Sequence, residues 1–163
     1  GLGNGVAVSG VVGRSDIMAG LKYGEASDTW SANPLASAAV LATLDIFEST
    51  NVLDNAAGLT GVFFEGLNRL KETGLIENVR GEGLVFGIEC ADFGGKLAGD
   101  VANAIVEAAY LGDPDRGGIH FLGPLAGKVL RVSPPMTMTL QEAHDSLDLL
   151  FTFCQKLAGE LSA

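Results

Sequence analysis

Thr29 and Arg131 are the two residues whose type and setting can do binding chemistry. Thr29 stands shortly ahead of Asn33-Pro34, where a helix should begin. Proline suits the first helical position because its φ is already fixed and its missing N–H would be an orphan there. Asparagine before it is a good N-cap. The free N–H groups and partial positive charge of a helix start attract an anion, and the Thr29 hydroxyl would add a donor. On these residues alone, the stretch also reads as a well-capped helix and nothing more. Arg131 comes two residues after Val129 and shortly before Pro134-Pro135, which must end the strand because proline cannot donate to a ladder. A guanidinium near a strand end can reach into a cleft, where its fork offers a carboxylate two parallel, charge-assisted bonds. Taken in isolation, the same arginine reads as half of a surface ion pair.

The other reactive residue types have ordinary explanations. A lysine nucleophile needs a desolvated pocket to lower its pKa, whereas Lys22-Tyr23-Gly24-Glu25 reads as a solvated turn. His120 falls in a strand-like run and His144 on a helix surface, with no Asp or Cys arrangement for a triad or a metal site. Arg80 and Glu89 lie on a half-exposed strand and are read as structural. Gly1 to Gly5 precedes a strand-like run where a phosphate cradle would join a strand to a helix, so it reads as a tight turn. Cys90 and Cys154 follow no metal spacing and read as free buried thiols of a reducing cytoplasm. No catalytic residue and no metal ligand set is therefore assigned.

The elements that must hold Thr29 and Arg131 follow from periodicity. Val6 to Val12 is strand-like, and Ser15 to Leu21 reads as a short helix. Leu35, Ala38, Ala39, Ala42, Ile46 and Phe47 make a narrow apolar face on a helix from Pro34 to about Ser49. A second amphipathic helix covers Val52 to Glu72, with Gly74 as its stop. Ile76 to Ala91 is β-rich, Leu97 to Leu111 helical, and Gly112 to Gly118 a loop. Ile119–Leu122 and Val129–Val132 read as two adjacent strands. Thr139-Leu140-Gln141-Glu142 is a capping box opening the last helix, whose buried stripe runs Ala143, Leu147, Leu150, Cys154, Leu157, Leu161. The 163 residues, 47% of them hydrophobic, suffice for one domain or pieces of two. A net charge of −10 argues against nucleic acid or an anionic membrane as partner. The chain opens without an initiator Met on a run that needs strand neighbours, so an upstream segment or a partner chain is expected to supply them.

Three stretches, in order, resemble the class III (omega-amino acid type) aminotransferases, which use pyridoxal 5′-phosphate. Thr29-Trp30-Ser31-Ala32-Asn33-Pro34-Leu35-Ala36 is similar to that family's Thr-aromatic-x-x-Asn-Pro-Leu-Ala signature. Arg80-Gly81-Glu82-Gly83-Leu84-Val85-Phe86-Gly87-Ile88-Glu89 resembles the stretch opening the small domain's sheet. Arg131-Val132-Ser133-Pro134-Pro135-Met136-Thr137-Met138-Thr139 resembles the Arg-apolar-Ser/Ala-Pro-Pro motif. The resemblance implies an α/β fold of the PLP-dependent transferase fold type I. Residues 1–50 would be the end of the large PLP-binding domain and the start of the linking helix, and 51–163 the small C-terminal α/β domain. It implies a cytoplasmic homodimer moving an amino group from an amino acid or terminal amine to a 2-oxo acid. Thr29 would bind the cofactor phosphate across the subunit interface, and Arg131 the substrate carboxylate. The Schiff-base lysine precedes the family's glycine turn, so it falls just upstream of Gly1, and the chain alone should be inactive. Aminomutases or decarboxylating transaminases of the same family, or a non-catalytic dimerisation piece, are the alternatives.

Overall fold

Alternation of apolar and polar residues along Ile76–Glu82 and Val85–Cys90 builds a hairpin. Val79, Phe86, Ile88 and Cys90 turn inward and are buried, while Arg80, Val85 and Glu82 face out. The computed structural model describes residues 2–124 and 126–163; Gly1 of the glycine turn and Leu125 of the connection ahead of the last strand lie outside the described residues. The chain divides into two units, Gly1–Asn51 and Val52–Ala163.

In the second unit, helix α3 (Val52–Arg69) runs into a 3₁₀ turn, Leu70–Thr73, that stops at Gly74 with φ of 77°. The left-handed conformation there is what a C-terminal glycine is suited to. Strands β1 (Ile76–Glu82), β2 (Val85–Cys90) and β3 (Val129–Val132) form an antiparallel sheet in that order, with α4 (Ala98–Leu111) between β2 and β3. Helix α5 (Leu140–Leu161) closes the unit behind a capping box in which Thr139 and Glu142 bond reciprocally. Helices α3 and α4 pack on the sheet and α5 packs against both helices. Phe63 of α3 stacks on Phe86 of β2 with ring centroids 6.2 Å apart. Arg69 reaches from α3 to α5, lying 3.9 Å over the Phe151 ring while pairing with Asp148 at 2.6 Å. The expected α5 stripe is buried from Ala143 to Leu157, with Leu161 packed at its margin.

The chain path out of β3 is fixed at one point from outside. The Asn55 amide, in the first turns of α3, donates to the carbonyls of Met136 at 2.8 Å and Met138 at 2.9 Å. A turn bond from Met138 N–H to Pro135 O and the Thr139 cap complete that segment.

The first unit contains α1 (Ser15–Met18) and α2 (Pro34–Ser49). Two expectations differ here from what is found. Val6 to Val12 carries no sheet pairing, because no other described strand lies in this unit. No residue of α2 is buried, so its periodic apolar face, with Leu35 71% and Ile46 50% exposed, has no covering layer among the described residues. In the second unit, Ile119–Leu122 is likewise not a strand; its Ile119 N–H bonds to Ala109 O at the end of α4. Among the described residues no helix is long and apolar enough to cross a membrane.

Gly81 of β1 faces Phe86 so closely that an added Cβ would lie 2.8 Å from the Phe86 Cα and closer still to the Val85 carbonyl oxygen. Both are backbone atoms, so the hairpin itself would have to part. Gly81→Ala should therefore lower stability in urea unfolding by at least the ~1–3 kcal/mol usual for overpacking.

Candidate active site

Register places Arg131. Gly87 of β2 pairs with Arg80 on one side and Arg131 on the other, so these three share the outward face of the sheet. Leu130 and Val132, the neighbours of Arg131, are buried on the opposite face. On the outward face Glu89 holds two cations, Lys128 at 2.9 Å and Arg80 at 3.2 Å, and Lys128 also reaches Glu77 at 3.4 Å. The Lys128 ammonium and then the Arg80 guanidinium hold the Glu89 carboxyl below the usual carboxylate range, against partial desolvation. Arg131 is exposed and, among the described residues, has no carboxylate partner. The surface ion pair that its sequence setting allowed is thus formed by Arg80 instead.

Arg131 also lines a cavity of about 280 Å³. Its walls are mostly apolar: Phe63 and Leu67 of α3, Leu147 and Leu150 of α5, Ile119 and Phe121, and the Pro134-Pro135 pair. Ser133, Ser146 and His120 add polar edges. Arg131 contributes to this lining from an edge strand, while its side chain belongs to the outward face of the sheet.

Thr29 lies in the first unit, exposed, and its hydroxyl makes no hydrogen bond among the described residues. The loop around it is organised by Asp28. That carboxylate accepts from the Ser31 hydroxyl at 2.5 Å and from the N–H groups of Trp30 and Ser31, each at 2.7 Å. Those bonds, the Ser31 hydroxyl foremost, pull its pKa below the ordinary value. Ala32 follows with φ of 55°, a left-handed conformation costing an L-residue roughly 1–2 kcal/mol. Asn33 then caps α2 by accepting from Leu35 N–H at 2.9 Å. The loop between Thr29 and the helix is therefore held in a set shape, at some expense in strain. The sequence reading missed Asp28, whose signal was its residue type, since an aspartate accepts from the backbone N–H two residues on. Asn55 was not legible, because its partners are 81 and 83 residues away.

Of the residues set aside, His120 does not lie in a strand, since Ile119–Leu122 forms none. Lys22 sits in an exposed turn, its N–H bonded to the Glu25 carboxylate at 2.7 Å. His144 is exposed, and His120 makes an edge contact with Tyr110, centroids 5.7 Å apart. Both thiols are buried and free; burial pushes Cys90 up to about 11 and Cys154 to about 12. Among the described residues no His, Cys, Asp and Glu group could hold a metal ion.

The model of the family described as aminotransferase class III matches residues 1–153. The chain belongs to the class III aminotransferases. The alanine/serine racemase of Pyrococcus horikoshii is 34% identical over 151 residues, covering 92% of this chain and 31% of that protein. The acetylornithine aminotransferase of Bacillus subtilis is 33% identical, covering 92% and 35%. In structure, the ornithine aminotransferase of Toxoplasma gondii superposes with a TM-score of 0.75 at 26% identity, covering 93% of this chain and 34% of that one. That structure is described as showing partial occupancy of PLP at its active site. This class III chain spans about a third of the length of the relatives it matches, and its α/β fold is that of PLP-dependent fold type I enzymes.

The Glu89 bridge makes a pH prediction. A carboxyl whose folded-state pKa is depressed adds stability that is complete above its unfolded value, ~4.3, and disappears as pH falls through the folded value. The melting temperatures of the native protein and Glu89→Gln should differ at about pH 6 and converge toward about pH 3. A constant gap across that range would mean the ion pairs contribute nothing.

Proposed function

We propose that this chain is the C-terminal portion of a PLP-dependent class III aminotransferase that moves an amino group from an amino acid or terminal amine to a 2-oxo acid. The observation that carries the reading is the exposed Arg131, without a carboxylate partner among the described residues, on the family's Arg-Val-Ser-Pro-Pro motif at the edge of a mostly apolar cavity. Residues 1–50 belong to the large cofactor domain and 51–163 to the small one. The lysine that anchors the cofactor lies upstream of Gly1, so the chain alone is inactive. The whole enzyme is a cytoplasmic homodimer whose sites are shared across the subunit interface.

The residues present suit pyridoxal phosphate at one end. Thr29 offers a free hydroxyl ahead of a capped helix start, and the adjacent Asp28 charge is taken up by three hydrogen bonds. When bound, pyridoxal phosphate supplies the electron sink for the pair released at the substrate carbon. Thr29 Oγ would donate to the phosphate of the neighbouring subunit's cofactor and so help to hold it. Arg131 binds the substrate carboxylate through both guanidinium arms, which sets the angle of the reacting carbon.

The Pyrococcus racemase at 34% identity favours a second reading, amino-acid racemisation, in which the same arginine holds the amino acid throughout. Supplying single-enantiomer amino acids to the full-length enzyme, with and without 2-oxoglutarate or pyruvate, decides between them. Amino transfer requires the oxo acid and yields a new amino acid; racemisation proceeds without one and yields the mirror image.

Two substitutions in the full-length enzyme test the residue roles. Thr29→Ala should weaken cofactor retention by roughly 1.5–3 kcal/mol, the worth of a hydrogen bond to a charged group. Equilibrium dialysis against pyridoxal phosphate measures it, and unchanged retention removes Thr29 from the site. Arg131→Lys should raise KM for the carboxylate substrate about tenfold or more, because a lysine cannot reproduce the two-armed contact. Native kinetics in that variant would exclude the carboxylate role.

A further inference from the structure

We infer that Asn55 is a positioning residue for Arg131, fixing the strand end from which the guanidinium reaches its carboxylate; this rests on the carboxylate role proposed for Arg131. Asn55 spends both amide hydrogens on two carbonyls of one segment, Met136 O at 2.8 Å and Met138 O at 2.9 Å. It is half-buried at the start of α3, far in sequence from what it holds. Between the buried Val132 that ends β3 and the anchored Met136 stand only Ser133, Pro134 and Pro135. Two consecutive prolines fix φ at both positions, so fewer backbone angles are left to absorb a shift at Met136 before it reaches the end of β3.

The strand gives little resistance of its own. It is four residues long, and among the described residues it pairs only with β2. Arg131 is its penultimate residue, one position inside the end that Asn55 steadies. Met138 and Pro134-Pro135 also line the cavity beside Arg131, so the segment that Asn55 holds forms part of that wall. Loss of the clamp would let wall and guanidinium drift together, and a bidentate contact tolerates little drift.

The test uses the full-length holoenzyme with Asn55→Ala and Asn55→Asp, the second matching the native side chain in size but carrying no amide donors. The expected result is a rise in KM for the carboxylate acceptor of roughly three- to tenfold, the share of two lost neutral hydrogen bonds that reaches Arg131. Turnover number, cofactor retention and KM for an amine donor lacking a carboxylate should stay near native, which a general loss of folding would not allow. In an Arg131→Gln background, Asn55→Asp should add nothing further, because the two residues act through one contact. Should the alanine variant fail to fold, the aspartate variant carries the same comparison. An unchanged acceptor KM in Asn55→Asp, or an effect that adds fully to that of Arg131→Gln, overturns the inference. If Arg131→Gln itself leaves the acceptor KM unchanged, the carboxylate role fails and the inference falls with it; if only Asn55→Asp is silent, that role stands and the inference alone is lost.

Discussion

The outward display of Arg131 depends on the register of β3 against β2. Side chains on a strand alternate, so a slip of one residue would move Arg131 into the layer now filled by Leu130 and Val132. Burying an unpaired guanidinium there would cost far more than the strand's few ladder bonds return. Phe86 and Ile88 of β2, stacked against α3 and the rest of the core, therefore decide which way the arginine faces. The site is an outward consequence of the packing behind it.

Charge on that face is arranged with the same economy. Glu89 engages Arg80 and Lys128 together, and among the described residues Arg131 pairs with no carboxylate. Gly87, midway between the two arginines in the register row, puts no side chain in the space that separates them. The glycine of that motif thus has a spatial reason that its β-rich surroundings did not suggest. In the first unit a different device operates: Asp28 and Asn33, acting on main-chain N–H groups, hold a loop that includes a left-handed alanine.

What the sequence made legible was whatever is decided locally. Caps and stops, such as Asn33-Pro34, Gly74 and Thr139-Glu142, involve residues within four positions of one another and appeared where expected. The stripe of α5 followed from period alone. Pairing was another matter. Val6–Val12 and Ile119–Leu122 have strand composition, yet a strand exists only where a neighbour offers its ladder, and composition says nothing about that. The apolar face of α2 was equally plain in the spacing, while its covering layer was not. Thr29 and Arg131 became candidates through motifs whose order matched a family. Asn55 carries no local signal at all, since an asparagine early in an amphipathic helix is ordinarily left to solvent.

The two thiols have a consequence of their own. Cys90 and Cys154 lie within the core, and burial keeps each protonated far above neutral pH. An electrophile reacts with thiolate, so neither cysteine is available to it until the core opens and restores both solvent and an ordinary pKa. Modification of these sulfurs then scales with the fraction of time the second unit is open, as well as with the reagent's own rate. The molecule carries an internal gauge of its own opening, which an alkylating dye can read at equilibrium without any denaturant.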